Sequence, residues 1–115
     1  MAEMYGGGSL VTLVKRSREV LLARVVGEVD LNNSPELRRE LFAAIDALKP
    51  AKVVLNLAEV PYMDSSAVAV LVELLRRLGR GRKVCLTNLQ PRVRGLLEIA
   101  RLNTIFTLVD DEKDA

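Results

Sequence analysis

Val60-Pro61-Tyr62-Met63-Asp64-Ser65-Ser66-Ala67-Val68-Ala69-Val70 decides how the chain is read, because an apolar run meets an acid and two hydroxyls that at once begin another apolar run. Just before it, Lys52-Val53-Val54-Leu55-Asn56-Leu57 is almost continuously apolar, the pattern of a strand in the middle of a sheet. After it, Ala67, Val68, Leu71, Leu74, Leu75 and Leu78 recur at helical spacing, with Glu73, Arg76 and Arg77 as the polar side and Gly79 and Gly81 bracketing the end. Asp64, Ser65 and Ser66 therefore fall where a helix starts, a place that stabilises negative charge. Two readings of the cluster stand side by side. In one, Asp64 or Ser65 is simply a cap that satisfies unpaired amides. In the other, one hydroxyl accepts a phosphate, whose roughly −1.5 to −2 charges the helix dipole favours by about 0.3–1 kcal/mol, so that the surface changes while the fold stands.

Upstream, residues 1–8 carry three consecutive glycines and little periodicity, the mark of a flexible lead-in. Ser9 to Val14 and Val20 to Val26 are rich in Val and Leu and predict two antiparallel strands joined across Lys15 to Glu19. The second closes at Gly27, and Glu28-Val29-Asp30-Leu31-Asn32-Asn33 reads as a polar loop. Ser34-Pro35-Glu36 then predicts a helix with Ser34 as N-cap and Pro35 in the first helical position. Its apolar face is Leu37, Leu41, Ala44, Ile45 and Leu48, with Arg38, Arg39, Glu40 and Asp46 elsewhere, and Lys49-Pro50 ends it.

Downstream, Lys83 to Leu86 predicts a short strand, and Pro91 opens a third helix with Val93, Leu96, Leu97 and Ala100 on one stripe. Ile105 to Val109 predicts a last strand, and 110–115, mostly charged, a solvated tail. The order of elements specifies one α/β layer domain over residues 9–109: a mixed sheet with its first two strands antiparallel and parallel crossovers after them. Three amphipathic helices are expected mainly on one face.

Composition removes most chemistry. One Cys and no His among 115 residues exclude a disulfide framework, a Cys/His zinc site and any nucleophile that relies on His as its base. Around Ser65 there is no Gly-x-Ser-x-Gly elbow, and nowhere a G-x-x-x-x-G-K phosphate loop, so an enzyme is not expected, nor a cofactor or a metal. Aromatic residues are 3% and the net charge is +2, poor material for nucleic acid. The longest unbroken apolar run, Ala67 to Val72, is far short of the roughly 20 residues of a membrane span, so a cytoplasmic protein without membrane insertion is expected. Arg76, Arg77, Arg80, Arg82, Lys83, Arg92, Arg94 and Arg101 read as solvated faces, and Cys85 as a small core residue.

Gly27-Glu28-Val29-Asp30, Val53-Val54-Leu55-Asn56-Leu57 and Met63-Asp64-Ser65-Ser66, followed by Pro91-Arg92-Val93-Arg94 to Leu102 and Asn103-Thr104-Ile105-Phe106, together resemble the anti-sigma factor antagonist family, the stand-alone STAS domains. The resemblance implies that Ser65, directly after Asp64, is phosphorylated by an anti-sigma factor acting as an ATP-dependent serine kinase. It further implies that the unphosphorylated form binds that partner and frees a sigma factor, and that a PP2C-like phosphatase resets the cycle. Asp64 and Ser66 become neighbours of the phosphosite, and Asp30, Met63, Asp64, Ser65, Ser66, Ala67 and Val68 the partner-binding surface. A related reading within the same fold is a STAS subunit that binds the partner ATPase of an ABC-type lipid-transport complex. Ala67 and Ala69 stand where the family often has glycine, which stiffens the helix start by about 0.5–1 kcal/mol and is expected to add methyl groups to the surface a kinase approaches.

Overall fold

Six strands hydrogen-bond side by side in the order in which they occur, in a computed structural model that describes residues 3–5, 10–15, 17 and 19–115. They are β1 (Glu3–Tyr5), β2 (Val11–Lys15), β3 (Val20–Val26), β4 (Lys52–Glu59), β5 (Lys83–Thr87) and β6 (Thr107–Val109). The helices α1 (Ser34–Leu48), α2 (Ser65–Leu78) and α3 (Pro91–Ile99) connect β3 to β4, β4 to β5 and β5 to β6. The pairs β1–β2 and β2–β3 are antiparallel, and the three pairs from β3 to β6 are parallel. Each parallel crossover steps the same way along the sheet. Because such crossovers are right-handed, every helix lands on the same face.

The core follows from that arrangement. Strand alternation sends Leu21, Ala23 and Val25 of β3, Val53, Leu55 and Leu57 of β4, and Val84 and Leu86 of β5 toward the helices. There they meet Leu37, Leu41 and Ile45 of α1, Leu71 and Leu74 of α2, and Val93 and Leu97 of α3. Burying one such side chain fully stabilises the fold by about 1.5–3 kcal/mol, so the stripe on each helix, more than helix propensity, holds it in place. On the opposite face Leu22, Val54 and Cys85 form a small second cluster.

Several boundaries differ from the sequence expectations, each for a local reason. Within the expected lead-in 1–8, Glu3–Tyr5 add an edge strand to β2, where backbone pairing needs no apolar pattern; the three glycines, and Ser9 of the expected first strand, lie outside the described residues. Helix α1 is capped one residue earlier than expected, at Asn33, because Asp30 O already accepts the Ser34 amide at 2.8 Å. Glu40, expected on the polar side, is buried, since it sits three residues after Leu37 and four before Ala44, at the border of the apolar stripe. Helix α3 stops at Ile99, and Arg101 turns the chain with φ +58° into a 3-10 turn at Leu102–Thr104, so the last strand spans only Thr107–Val109. The final residues, expected as a solvated tail, fold back across the second face: Glu112–Asp114 form a 3-10 turn, and Ala115 packs on the Leu22, Val54 and Cys85 cluster. Among the described residues no helix is long and apolar enough to cross a membrane.

Candidate functional site

The β3–α1 and β4–α2 loops are stitched to each other by main-chain bonds. After β3 the register with β4 slips by a residue, and Gly27 takes φ +98° so that its amide reaches Glu59 O at 2.8 Å. Only glycine adopts that backbone without strain. Val29 then pairs with Met63 as an isolated parallel bridge, its amide donating to Tyr62 O at 3.1 Å while its carbonyl accepts from Asp64 at 3.2 Å. The bridge brings Asp30 and Asp64 to one rim of the domain, from loops more than thirty residues apart in the chain.

Asp64 is the N-cap of α2: Oδ1 accepts the Ser66 amide at 2.9 Å and the Ser66 hydroxyl at 2.5 Å. The Ser66 hydroxyl first, then the amides of Ser66, Ala67 and Leu31, hold its carboxyl below the usual carboxylate range, against a smaller upward push from desolvation. The cap reading of Asp64 is thus correct. Ser65, by contrast, is exposed and its hydroxyl makes no hydrogen bond among the described residues. The two serines are inequivalent: one hydroxyl is committed to the cap and the other points to solvent at the positive end of the helix dipole.

The remaining residues expected at the site divide. Val68 is half-buried and Met63 nearly buried beneath the rim. Ala67 is fully buried, so its methyl belongs to the core; of the two alanines only Ala69 adds a methyl to the surface. Asp30 organises its own loop, with Oδ1 accepting the amides of Asn32 at 2.9 Å and Asn33 at 3.2 Å. Asn33 returns the bond by accepting the Asp30 amide at 2.8 Å and donating to Glu28 O at 2.8 Å. Glu28 itself is exposed.

Tyr62, Met63, Asp64 and Ser65 form one wall of an open groove of about 520 Å³, and Arg92, Gly95, Leu96 and Ile99 of α3 form the other. The Arg92 guanidinium lies 5.1 Å above the Tyr62 ring centre, a cation–π contact across the groove. Ile99, 85% exposed, and Leu31, 75% exposed in the neighbouring loop, add apolar surface to this rim. Arg92, expected only as a solvated arginine, lines the groove with Tyr62 and Ile99, for which the sequence carries no expectation. A signal was present: Arg92, Gly95 and Ile99 recur at offsets of three and seven, a second face of α3 that meets the Val93 and Leu97 stripe at Leu96.

Chemically the arrangement offers an exposed alcohol without a base to activate it. The Asp64 carboxylate is engaged by the Ser66 amide and hydroxyl, and among the described residues no three Cys, Asp or Glu side chains are placed to hold a metal.

Comparison with known proteins agrees with that architecture. An anti-sigma F factor antagonist of Paenibacillus polymyxa is 31% identical over 105 residues, covering 89% of this chain and 88% of that protein. Among solved structures, an anti-sigma factor antagonist from Mycobacterium paratuberculosis superposes with a TM-score of 0.79 at 19% identity, over 99% of this chain and 88% of that one. The Bacillus cell fate determinant SpoIIAA in its phosphorylated form superposes with a TM-score of 0.70 at 23% identity, over 90% and 95%. At those identities the structures speak for the fold alone. The sequence pattern described as the STAS domain matches residues 12–115. With the match running from β2 to the last residue, the chain belongs to the STAS domain family.

Proposed function

We propose that the protein is an anti-sigma factor antagonist that works as a phosphorylation-switched binding module in the cytoplasm and is not itself an enzyme. In its unphosphorylated form it binds an anti-sigma factor through the rim formed by Asp30, Met63, Asp64, Ser65, Ser66 and Val68, to which Ala67 contributes main chain only, and so frees a sigma factor. The anti-sigma factor, acting as a serine kinase, transfers the terminal phosphoryl group of ATP to Ser65 Oγ with release of ADP, and binding is lost. A PP2C-like phosphatase hydrolyses the phosphoserine and restores the first state.

The observation that carries this reading is the inequivalence of the two serines: Ser65 is exposed without a hydrogen-bond partner among the described residues, whereas the Ser66 hydroxyl is held by Asp64. The name of the Paenibacillus relative, an anti-sigma F factor antagonist, supports it. The test is incubation of the purified protein with ATP and each serine-kinase anti-sigma factor of its host, followed by mass spectrometry of wild type, Ser65→Ala and Ser66→Ala. One phosphate on wild type and on Ser66→Ala, and none on Ser65→Ala, is the expected result. Equal labelling of wild type and Ser65→Ala would remove Ser65 from the switch.

A further inference from the structure

Of the amides that start α2, only that of Ser65 itself makes no hydrogen bond among the described residues, so a phosphate on Ser65 finds few partners there. The Ser66 amide already donates to Asp64 Oδ1 at 2.9 Å, and the Ala67 and Val68 amides donate to Asp64 O at 3.1 and 3.2 Å. The Asp64 carboxylate, held in its ionised form, lies in the same groove and repels a second anion. A dianion attached to Ser65 is therefore better matched by the cation on the other wall of the groove.

That wall is built for it. Arg92 is exposed and, among the described residues, has no carboxylate partner, while its neighbour Arg94 pairs with Asp110 at 3.2 Å. Both arginines occupy the first turn of α3, which contains no acidic residue and begins with Pro91. The positive end of the α3 dipole adds to the two guanidinium charges, so positive potential is concentrated at this wall. Tyr62 braces the Arg92 guanidinium at 5.1 Å, which reduces the freedom lost when its planar fork engages an oxyanion. Ser65 and Arg92 line the one groove from opposite sides.

We propose that Arg92, braced on Tyr62, receives the phosphate of phosphorylated Ser65 and thereby closes the groove between α2 and α3. The inference rests on Ser65 as the phosphoacceptor and adds how its phosphate is read. The switch then does more than place charge on a surface: the phosphate spans a groove lined by Met63, Leu96 and Ile99 and denies that apolar channel to a docking partner.

The test installs phosphoserine at position 65 during translation, so that no kinase is needed, and follows the phosphate by phosphorus NMR as pH is varied. An unperturbed phosphoserine has its second pKa near about 6. The expected result is a value lower by about half a unit or more in the otherwise wild-type chain than with Arg92→Gln, because a nearby guanidinium favours the dianion. Arg80→Gln, at an exposed arginine just beyond the C-terminal end of α2, removes the same charge and is expected to leave the value where wild type has it. Equal values for wild type and Arg92→Gln, or an equal rise with Arg80→Gln, would overturn the proposal. A host without any kinase for Ser65 would refute the preceding section yet leave this titration unaffected.

Discussion

Asp64 does two things at once: its backbone opens α2 and its carboxylate commits Ser66, leaving Ser65 alone at the surface. The cap was legible from residue type, since an Asp before two serines and an apolar run is a helix start on local chemistry. The choice between the serines was not, because only the fold shows which hydroxyl the carboxylate captures. Nor was Tyr62 with Arg92, thirty positions apart and each unremarkable alone. Because the folded-state pKa of Asp64 is depressed, its contribution to stability is present above the unfolded value of about 4 and is lost as pH falls through the folded value. Asp64→Ala is therefore expected to lower the urea midpoint at pH 7, and the deficit is expected to shrink only below about pH 4. A deficit that persisted undiminished at pH 2 would show that the carboxylate charge is not what the cap uses.

At the scale of elements, the contact between α1 and α2 shows how far periodicity reaches. The stripe of Leu37, Leu41, Ala44 and Ile45 was readable because these positions recur every three or four residues and all are buried. Phe42 was not on it, yet only 6% of it is exposed, because arginines from both helices close over its ring. Arg38 and Arg77 stand 4.5 and 5.1 Å from the ring centre, and each is fixed by an acid on the opposite helix, Arg38 by Glu73 at 2.7 Å and Arg77 by Asp46 at 2.6 Å. Side chains that read as a solvated polar face thus become a lid over an aromatic ring. The ion pairs are half-exposed and individually of little weight; the ring is the part that counts. Phe42→Ala should cost about 3 kcal/mol or more by denaturant unfolding. A loss under about 0.5 kcal/mol, the range of an ordinary surface substitution, would mean that the arginines shield nothing.

Across the whole molecule, the order of elements and the one-sided helices were readable because crossover handedness leaves a sheet that steps in one direction no other choice. The other face was the part that could not be read. Residues 110–115 are charged apart from Ala115, and composition alone assigns such a segment to solvent. In the fold, Glu112 is gripped by Arg24 through two bonds of 3.0 and 3.2 Å and by the Asn56 amide at 2.7 Å, while its own amide donates to Asn88 at 2.9 Å. Asn56, the single polar interruption in β4, is thereby explained as an anchor point. The grip seats Ala115 on Leu22, Val54 and Cys85, the last only 2% exposed. If this cover is what shields Cys85, then deleting residues 111–115 must open the thiol without unfolding the helix side of the sheet, whose core it does not touch. The rate of Cys85 labelling by an aromatic disulfide reagent in native buffer should rise roughly tenfold or more, the equivalent of about 1.4 kcal/mol less protection, while far-ultraviolet circular dichroism stays that of the folded domain. Arg24→Ala, which removes one grip on Glu112 and leaves the segment in place, should give a rate between those of the intact and the shortened chain. Labelling as slow in the shortened chain as in the intact one would show that the sheet protects its own second face, and that the last residues merely rest on it.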